Sequence, residues 1–519
     1  MPLLGPNEFI KKLWNRIPSF IKVTFFSSVI LGFLIHIYMF TNKLPNHDDF
    51  GQLFDVMERA KSGRWFLRFP AAVSSSYSMP WIGGCLSVLY LSMTSCFVVS
   101  CFRIRQNLYC ILTSALIVSF PVVACTFPYM NSADAYFFGL LLSCASVAIT
   151  DRFRFGFLPG SILIMLSLGI YQAYFGVACG LSVGILILGI LKDGVRPKET
   201  VVKGVKFLTA LAVGLLAYFV MVKVALSGVE LVSYMGIDQM GKISLSELPA
   251  MIENAYRYVY RFFISNKFNV HYSFMKVLFV FMGLGGVSLM VCAVKKNQCF
   301  KYKSNSFLLA ALLLLFPLAI NIIYVMSPEV HMLMIYGLVL LLIAMIALME
   351  LATEDKGCTK PMKWVQRSGC WVISLVLLMS VFNYAMLDNK AYLKLDLVNK
   401  ETYAYSNRLI SQMQNTEGFT TDTPAVFIGR VDRSAYDDPL PQTKGLQSMT
   451  GIADSLGLIN ATNYHMYLKS YLGYGQEIYP RDSDLAKTYG EKEEVLAMPN
   501  YPNAGSIKVI DGMIVVKFG

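Results

Sequence analysis

Asp48 and Asp49 stand side by side in the stretch PNHDDFGQLFDVMERAKSGRWFLRFP, Pro45 to Pro70, between two long apolar segments. Adjacent carboxylates repel, so one of them should titrate high unless a cation lies near. A carboxylate beside a bilayer can accept the proton of a hydroxyl as that hydroxyl attacks; the plainer role is to start a helix at Phe50. Arg64 and Trp65 follow in an SGRW run, Ser62 to Trp65. A guanidinium fork suits a phosphate and an indole face suits the apolar side of a sugar ring, although both residue types also anchor proteins at membrane interfaces. Asp134, in PYMNSADAYFF, is either a helix-start acid favoured by the dipole or another acid facing the pair. Tyr171 and Gln172 lie within the apolar SLGIYQAYFG, where a Gln needs a partner and either ties helices together or lines a cavity. Arg257 and Arg261, in a tyrosine-rich run, and Glu329 and His331, in SPEVH, complete the candidates.

These residues need a scaffold, and the composition says what kind. The chain has 519 residues, 55% hydrophobic and only 15% charged, with mean hydropathy +0.52. Several runs reach the roughly 20 apolar residues that cross a bilayer, so the chain reads as a polytopic membrane protein, mainly α. Eleven spans are expected, near 18–40, 81–102, 107–127, 132–150, 158–176, 177–192, 205–226, 272–294, 306–325, 331–351 and 368–387. The fifth and sixth share one apolar run that should break near Gly176 to Gly180. The first, Ser19 to Phe40, is too long for a cleaved signal and reads as a retained anchor.

The net charge of +12 does not point to nucleic acid, because the cations alternate along the chain. Lys11, Lys12, Arg16 and Lys22 precede the first span. Arg103 and Arg105, Arg152 and Arg154, the cluster from Lys192 to Lys206, Lys295 to Lys303, and Lys356 to Arg367 occupy every second loop. The loops near Pro128 to Asn131 and Ser327 to Val330 carry no Lys or Arg. By the positive-inside rule the N-terminus is cytoplasmic, and an odd number of spans puts the C-terminus outside. Eleven cysteines show no CxxC pair and no Cys/His metal spacing, and none follows Cys370.

Three longer segments then face outward. In the first, the outer loop 41–80, Phe50, Leu53, Phe54 and Met57 recur at helical spacing opposite Asp55, Glu58 and Arg59, as in an interfacial helix. In the second, Ser227 to His271, Ser244 or Ser246 is placed to cap a helix bearing Arg257 and Arg261. The third, 388–519, is a small α/β domain set apart from the membrane part, 1–387. It opens with a polar helical stretch, Tyr392 to Met413. An apolar strand, Ala425 to Ile428, ends at Gly429, and an Asp511-Gly512 pair between β-branched runs signals a closing hairpin.

DD in the first outer loop, then SGRW, then YQ in an apolar helix, then a tail with a strand ending in Gly and a DG hairpin: this order resembles the GtrII-type serotype-converting O-antigen glucosyltransferases, and through them the GT-C class of polytopic glycosyltransferases. The resemblance implies a GT-C-like bundle in a bacterial inner membrane. It implies transfer of a glucosyl group from undecaprenyl phosphate to a sugar hydroxyl of lipid-linked O-antigen, on the periplasmic face and with inversion. Asp48 would be the base, with Asp49 second. Arg64, with Arg257 or Arg261, would hold the phosphate, and Trp65, Asp134, Tyr171, Gln172 and Glu329 would line the substrates. The class pattern leads one to expect a cation near the tenth span, where this chain has His331. No cofactor is implied, and these carboxylates without further ligands do not argue for a divalent metal. The partners are the two lipid-linked sugars and the membrane lipids, with no nucleic acid.

Two other functions fit a chain of this class. A transporter or flippase of lipid-linked sugars would place ionisable groups mid-span and show repeats, whereas here the charges gather at one surface. An O-antigen polymerase or ligase would carry its large outer segment between spans. A reporter fused after Gly519 is expected to read as periplasmic; a cytoplasmic readout would break the eleven-span arrangement.

Overall fold

Apolar runs long enough to cross a bilayer can satisfy their backbone polar groups there only as helices or closed barrels. In the computed structural model of the chain every one of the expected runs is helical. The structure describes residues 5–54, 62–193, 195–226, 246–297, 299–327, 329–353, 359–432, 446, 448–452 and 454–519.

The principal helices are α1 Ser19–Thr41, α2 His47–Gly51, α3 Pro80–Cys101, α4 Asn107–Ser119, α5 Pro121–Thr126, α6 Ala133–Arg152, α7 Phe157–Ile170, α8 Phe175–Asp193, α9 Pro197–Leu226, α10 Leu248–Phe263, α11 Met275–Lys296, α12 Lys303–Ile320, α13 Val339–Ala352 and α14 Lys360–Gln414. Among the described residues nine helical segments are long and apolar enough to span a bilayer: α1, α3, α4 with α5, α6, α8, α9, α11, α12 and α14. α7 and α13 are shorter apolar helices on the runs expected as the fifth and tenth spans. This is a membrane protein. α1 packs on α3 and α4, α3 on α6, α6 on α7, and α7 on α9.

Three local expectations are corrected. The apolar run across 158–192 breaks at Tyr171, whose backbone is extended, and not at Gly176 to Gly180. The Ser167 hydroxyl donates to the Gly139 carbonyl and Ser143 to the Tyr174 carbonyl, so α6 pins both sides of the break. The helix expected over 50–57 is the single turn α2, which ends at Gly51 because the chain turns back through Gln52 to pair at Ser78; Asp55, Met57, Glu58 and Arg59 lie outside the described residues. The N-cap of α10 is Glu247 rather than Ser246, and Ser244 lies outside the described residues.

The polar stretch after the last apolar run is not a separate helix. α14 continues through it for 55 residues, about 80 Å at 1.5 Å per residue, against a hydrocarbon layer of about 30 Å. Its far half buries Val398, Tyr405, Leu409 and Met413 against a four-stranded sheet. The order is β2 (Ile478–Tyr479), β1 (Ala425–Ile428), β4 (Met513–Lys517), β3 (Ile507–Ile510). β1 runs parallel to both its neighbours, and β3 and β4 form the expected hairpin. Asp511 and Gly512 both take positive φ, 47° and 76°, the conformation a two-residue type I′ turn requires. Phe50, in the loop between α1 and α3, belongs to this domain's apolar cluster, so the loop and the C-terminal domain share a core.

The loop leaves α1 just after Phe40, which is 2% exposed and packs edge-on to Phe33 and Phe127. Gly84 of α3 lets that ring in: a Cβ there would lie 2.3 Å from it. Gly84→Ala should therefore cost about 1–3 kcal/mol through overpacking and lower the melting temperature in detergent. Gly283→Ala, at a position with open space around it, should be neutral or slightly stabilising. Equal melting temperatures for the two variants would refute the role of the close contact.

Candidate functional site

The acid pair sits on α2, and Asn46 rather than either acid caps that turn. The Asn46 side-chain oxygen accepts from the N–H groups of Asp48 (2.9 Å) and Asp49 (3.2 Å). Two side chains from the C-terminal half hold the turn from outside. Asn463 donates to the His47 carbonyl at 2.6 Å and Asn399 to the Pro45 carbonyl at 3.4 Å. Phe50 packs against Tyr467 and Tyr471 with ring centroids 4.7 and 6.0 Å away.

The two acids consequently face different surroundings. Asp49 is 1% exposed, and its Oδ2 accepts from the Ser78 hydroxyl at 2.5 Å. Its Oδ1 has no hydrogen-bond partner among the described residues. Burial raises the Asp49 carboxyl to about 7; the Ser78 hydroxyl, Lys43 and the Asn131 backbone pull it down, and the neighbouring Asp48 adds the smallest upward push. One acid of the pair does titrate high, but desolvation rather than mutual repulsion is the main cause. The Asp48 side chain is 32% exposed, with His47 Nε2 3.3 Å from its Oδ1.

The SGRW run meets the break between α7 and α8. The Phe66 N–H donates to the Gly169 carbonyl at 2.9 Å, and Trp65 lies against Gly169 so closely that a Cβ there would come within 2.8 Å of the indole. Gln172 donates to the Ser62 carbonyl (3.2 Å) and to the Tyr218 hydroxyl of α9 (2.9 Å). It therefore ties the loop between α1 and α3 to the α7–α8 break and to α9. The Arg64 Nη1 donates to the Tyr136 hydroxyl at 3.0 Å, and its guanidinium lies 5.1 Å from the Tyr171 ring centroid and 5.8 Å from that of Tyr136. Arg64, Trp65, Tyr171 and Gln172, singled out separately in the sequence, thus form one cluster.

Tyr129 links that cluster to Asp48. It sits in the short loop between α5 and α6. Burial first, then the Asp48 carboxylate, then Tyr136 and Tyr171 raise its hydroxyl well above the usual value. Tyr129 is thus within electrostatic reach of both Asp48 and the rings that hold Arg64. The C-terminal segment 448–452 covers Tyr129: Gly451 lies over its ring and the Cys125 carbonyl, Thr450 Oγ1 accepts from the Leu333 N–H at 3.4 Å, and Ser448 bonds the Phe268 carbonyl.

The other candidates lie elsewhere. Asp134 is fully buried in the first turn of α6, with Ser74 beside it. Arg257 pairs with Glu253 one turn earlier on α10. Arg261 stacks over Tyr258 at 4.8 Å, and Tyr258 in turn stacks on Tyr324 at 4.2 Å. Glu329 is exposed, and its carbonyl accepts from Ser327 at 2.8 Å. His331 heads the turn Met332–Met334, its N–H on Met334 Sδ at 3.5 Å.

Sequence reasoning missed Tyr129, Tyr136 and Tyr218, which hid among many interfacial tyrosines. It also missed Asp388, fully buried on α14 with neither oxygen hydrogen-bonded among the described residues. Tyr384 and Tyr392 flank Asp388 one turn away on either side. Each contacts a buried histidine: His271 Nε2 lies 3.0 Å from the Tyr384 hydroxyl and His36 Nδ1 2.7 Å from that of Tyr392. The i, i+4, i+8 spacing of Tyr384, Asp388 and Tyr392 was the available signal.

A family model described as glucosyl transferase GtrII matches residues 37–343. That stretch holds both acids, the Arg64 cluster and Tyr129, and leaves out α14 and the sheet domain. No curated protein and no solved structure matches the chain.

The burial of Asp49 has a measurable consequence. An acid whose folded-state pKa lies above its unfolded value, here about 7 against 3.8, costs stability as pH rises through that interval. The melting temperature of the wild type in detergent should fall from about pH 4 to about pH 7 more steeply than that of Asp49→Asn. The gap should reach at least about 1 kcal/mol. Parallel curves would mean that Asp49 is not desolvated.

Proposed function

The chain belongs to the GtrII family of glucosyl transferases, and from that premise we propose that it moves glucose from a polyprenyl phosphate donor, undecaprenyl-phosphate-glucose, to a sugar hydroxyl of lipid-linked O-antigen at the periplasmic face of the inner membrane. The observation that carries the reading is the pairing of an accessible carboxylate, Asp48, with a guanidinium held by Tyr136 and Tyr171, the Tyr129 hydroxyl being within electrostatic reach of Asp48 and of both rings.

In this reading the acceptor hydroxyl attacks C1 of the glucosyl group. The bond from C1 to the phosphate oxygen breaks, and the configuration at C1 inverts. Asp48 takes the hydroxyl proton, because it is the acid of the pair that solvent and substrate can reach. The lipid phosphate leaves as an anion, and Arg64 stabilises the charge that develops on it. Tyr136 and Tyr171 hold the guanidinium in advance, so little reorganisation is needed when that charge appears. Asp49 acts as a positioning residue: its bond to Ser78 fixes the turn from which Asp48 projects. Gln172 and Trp65 fix the SGRW run against α7 and α9. No covalent intermediate is required.

The test is glucosyl transfer in membranes supplied with polyprenyl-phosphate glucose and an O-antigen acceptor, at matched expression. Asp48→Asn should lose about 10²–10⁴-fold in rate, the range of a lost general base. Arg64→Lys should lose at least about 10-fold, since an ammonium cannot reproduce the stacked fork. An active Asp48→Asn beside a dead Asp49→Asn would move the base to Asp49.

A further inference from the structure

A recess lies beside the acid turn, with Pro45 in its lining. It is a groove of about 300 Å³ between the chain leaving α1, the middle of α14 and the helix α15 (Tyr464–Leu472), a volume at the lower end of the range for small-molecule sites. Tyr403, Tyr467 and Tyr471 supply its rings, and Asn42, Lys43, Asn399 and the Asp396–Lys400 ion pair (2.6 Å) its polar groups. Tyr403 is 55% exposed. Tyr467 and Tyr471 stack with centroids 5.0 Å apart, and Lys43 Nζ lies 5.4 Å from the Tyr471 ring. The Tyr471 hydroxyl is buried without a hydrogen-bond partner among the described residues, and the Asp49 carboxylate lies within electrostatic reach of it. Tyr38, near the end of α1, has its hydroxyl beside Asp396, so the groove opens where α1 leaves the apolar layer.

We propose that this groove binds the saccharide of the acceptor, a polyhydroxylated chain laid across Tyr403 and Tyr471 with one hydroxyl delivered to Asp48. The proposal rests on the transferase reading and adds the acceptor's place to it. A pyranose has apolar C–H faces and a rim of hydroxyls, each both donor and acceptor. The exposed Tyr403 ring and the half-buried Tyr471, backed by the buried Tyr467 and set beside a carboxylate, an amide and ammonium groups, match that pattern. A glycan whose lipid remains in the bilayer beside Tyr38 reaches the groove without leaving the membrane surface. The three tyrosines and Asp396 lie beyond the stretch matched by the family model and Lys43 lies within it, so the acceptor side draws on both parts of the chain.

Two measurements on the full chain test this. The probe for binding is O-polysaccharide of the host strain, released from its lipid and followed by saturation-transfer NMR on the detergent-solubilised protein. The second is glucosyl transfer against acceptor concentration. Tyr403→Ala should weaken binding and raise the acceptor KM by about 5- to 10-fold, the loss of one well-placed aromatic contact, with kcat and the donor KM unchanged. Asp396→Asn should act in the same direction. Transfer by all three proteins with unchanged acceptor KM would overturn the groove and leave the transferase reading intact. Tyr403-dependent binding by a protein that never transfers would uphold the groove and remove the transferase. Binding that neither substitution weakens would overturn the groove whatever the transfer assay shows.

Discussion

The site depends on the burial of one carboxylate. Asp49 gives up its hydration, and the loop must then supply replacements: the Ser78 hydroxyl directly, with Lys43 and the Asn131 backbone close by. Burying a charged group is tolerable only with such partners. Any conformation of 45–54 that breaks them exposes a half-satisfied carboxylate to an apolar surrounding. The penalty selects one geometry for the turn, and Asp48, the next residue toward the N-terminus, inherits it. Asn46 adds the cap, and Phe50 anchors the other end in the C-terminal core.

The second cluster is held by aromatic geometry instead. Arg64 could adopt many rotamers. Two tyrosine rings and one phenol restrict it, and those tyrosines are fixed because the apolar run breaks at Tyr171. The break costs backbone hydrogen bonds within an apolar layer, where each lost bond is expensive. Ser143 meets part of that cost by donating to the Tyr174 carbonyl just after the break, and Ser167, just before it, is tied to α6 through the Gly139 carbonyl. A helix running unbroken from α7 to α8 would present Tyr171 and Gln172 at ordinary helical angles and would leave Ser62 and Tyr218 without Gln172.

Much of this was legible in the sequence because it is local. The positions of the apolar helices follow from run length, and the hairpin follows from Asp511-Gly512 between β-branched residues. The acid pair and the SGRW run were recognisable as a motif. What was not legible is long-range. The one-turn α2 could not be told from a longer amphipathic helix, because the tertiary contact that ends it, Leu53 with Ser78, is not written in its own residues. The continuity of α14 was hidden by its change from apolar to polar at Asp388, which reads as a domain boundary although helix propensity never falls. The environment of Asp49 was foreseen for the wrong reason: repulsion within a pair is visible in sequence, whereas burial requires distant parts of the chain, such as Tyr471 packed on Phe50, to be placed first.

That last separation bears on how the chemistry and the scaffold divide. The stretch matched by the family model carries Asp48, Arg64, Tyr129, Tyr136 and Tyr171, yet the turn bearing Asp48 is clamped by Asn399, Asn463, Tyr467 and Tyr471, all outside that stretch. The proposed reactive groups therefore do not define their own geometry. α14 crosses from the bundle into the sheet domain as one rigid helix, and its face contacts the acid loop on the way. A shift of the sheet domain is thereby a shift of Asp48 relative to Arg64, whose anchors lie in the bundle. Catalysis of the proposed kind tolerates little misplacement of a base, so the C-terminal domain is better regarded as one jaw of the site than as an appendage covering it.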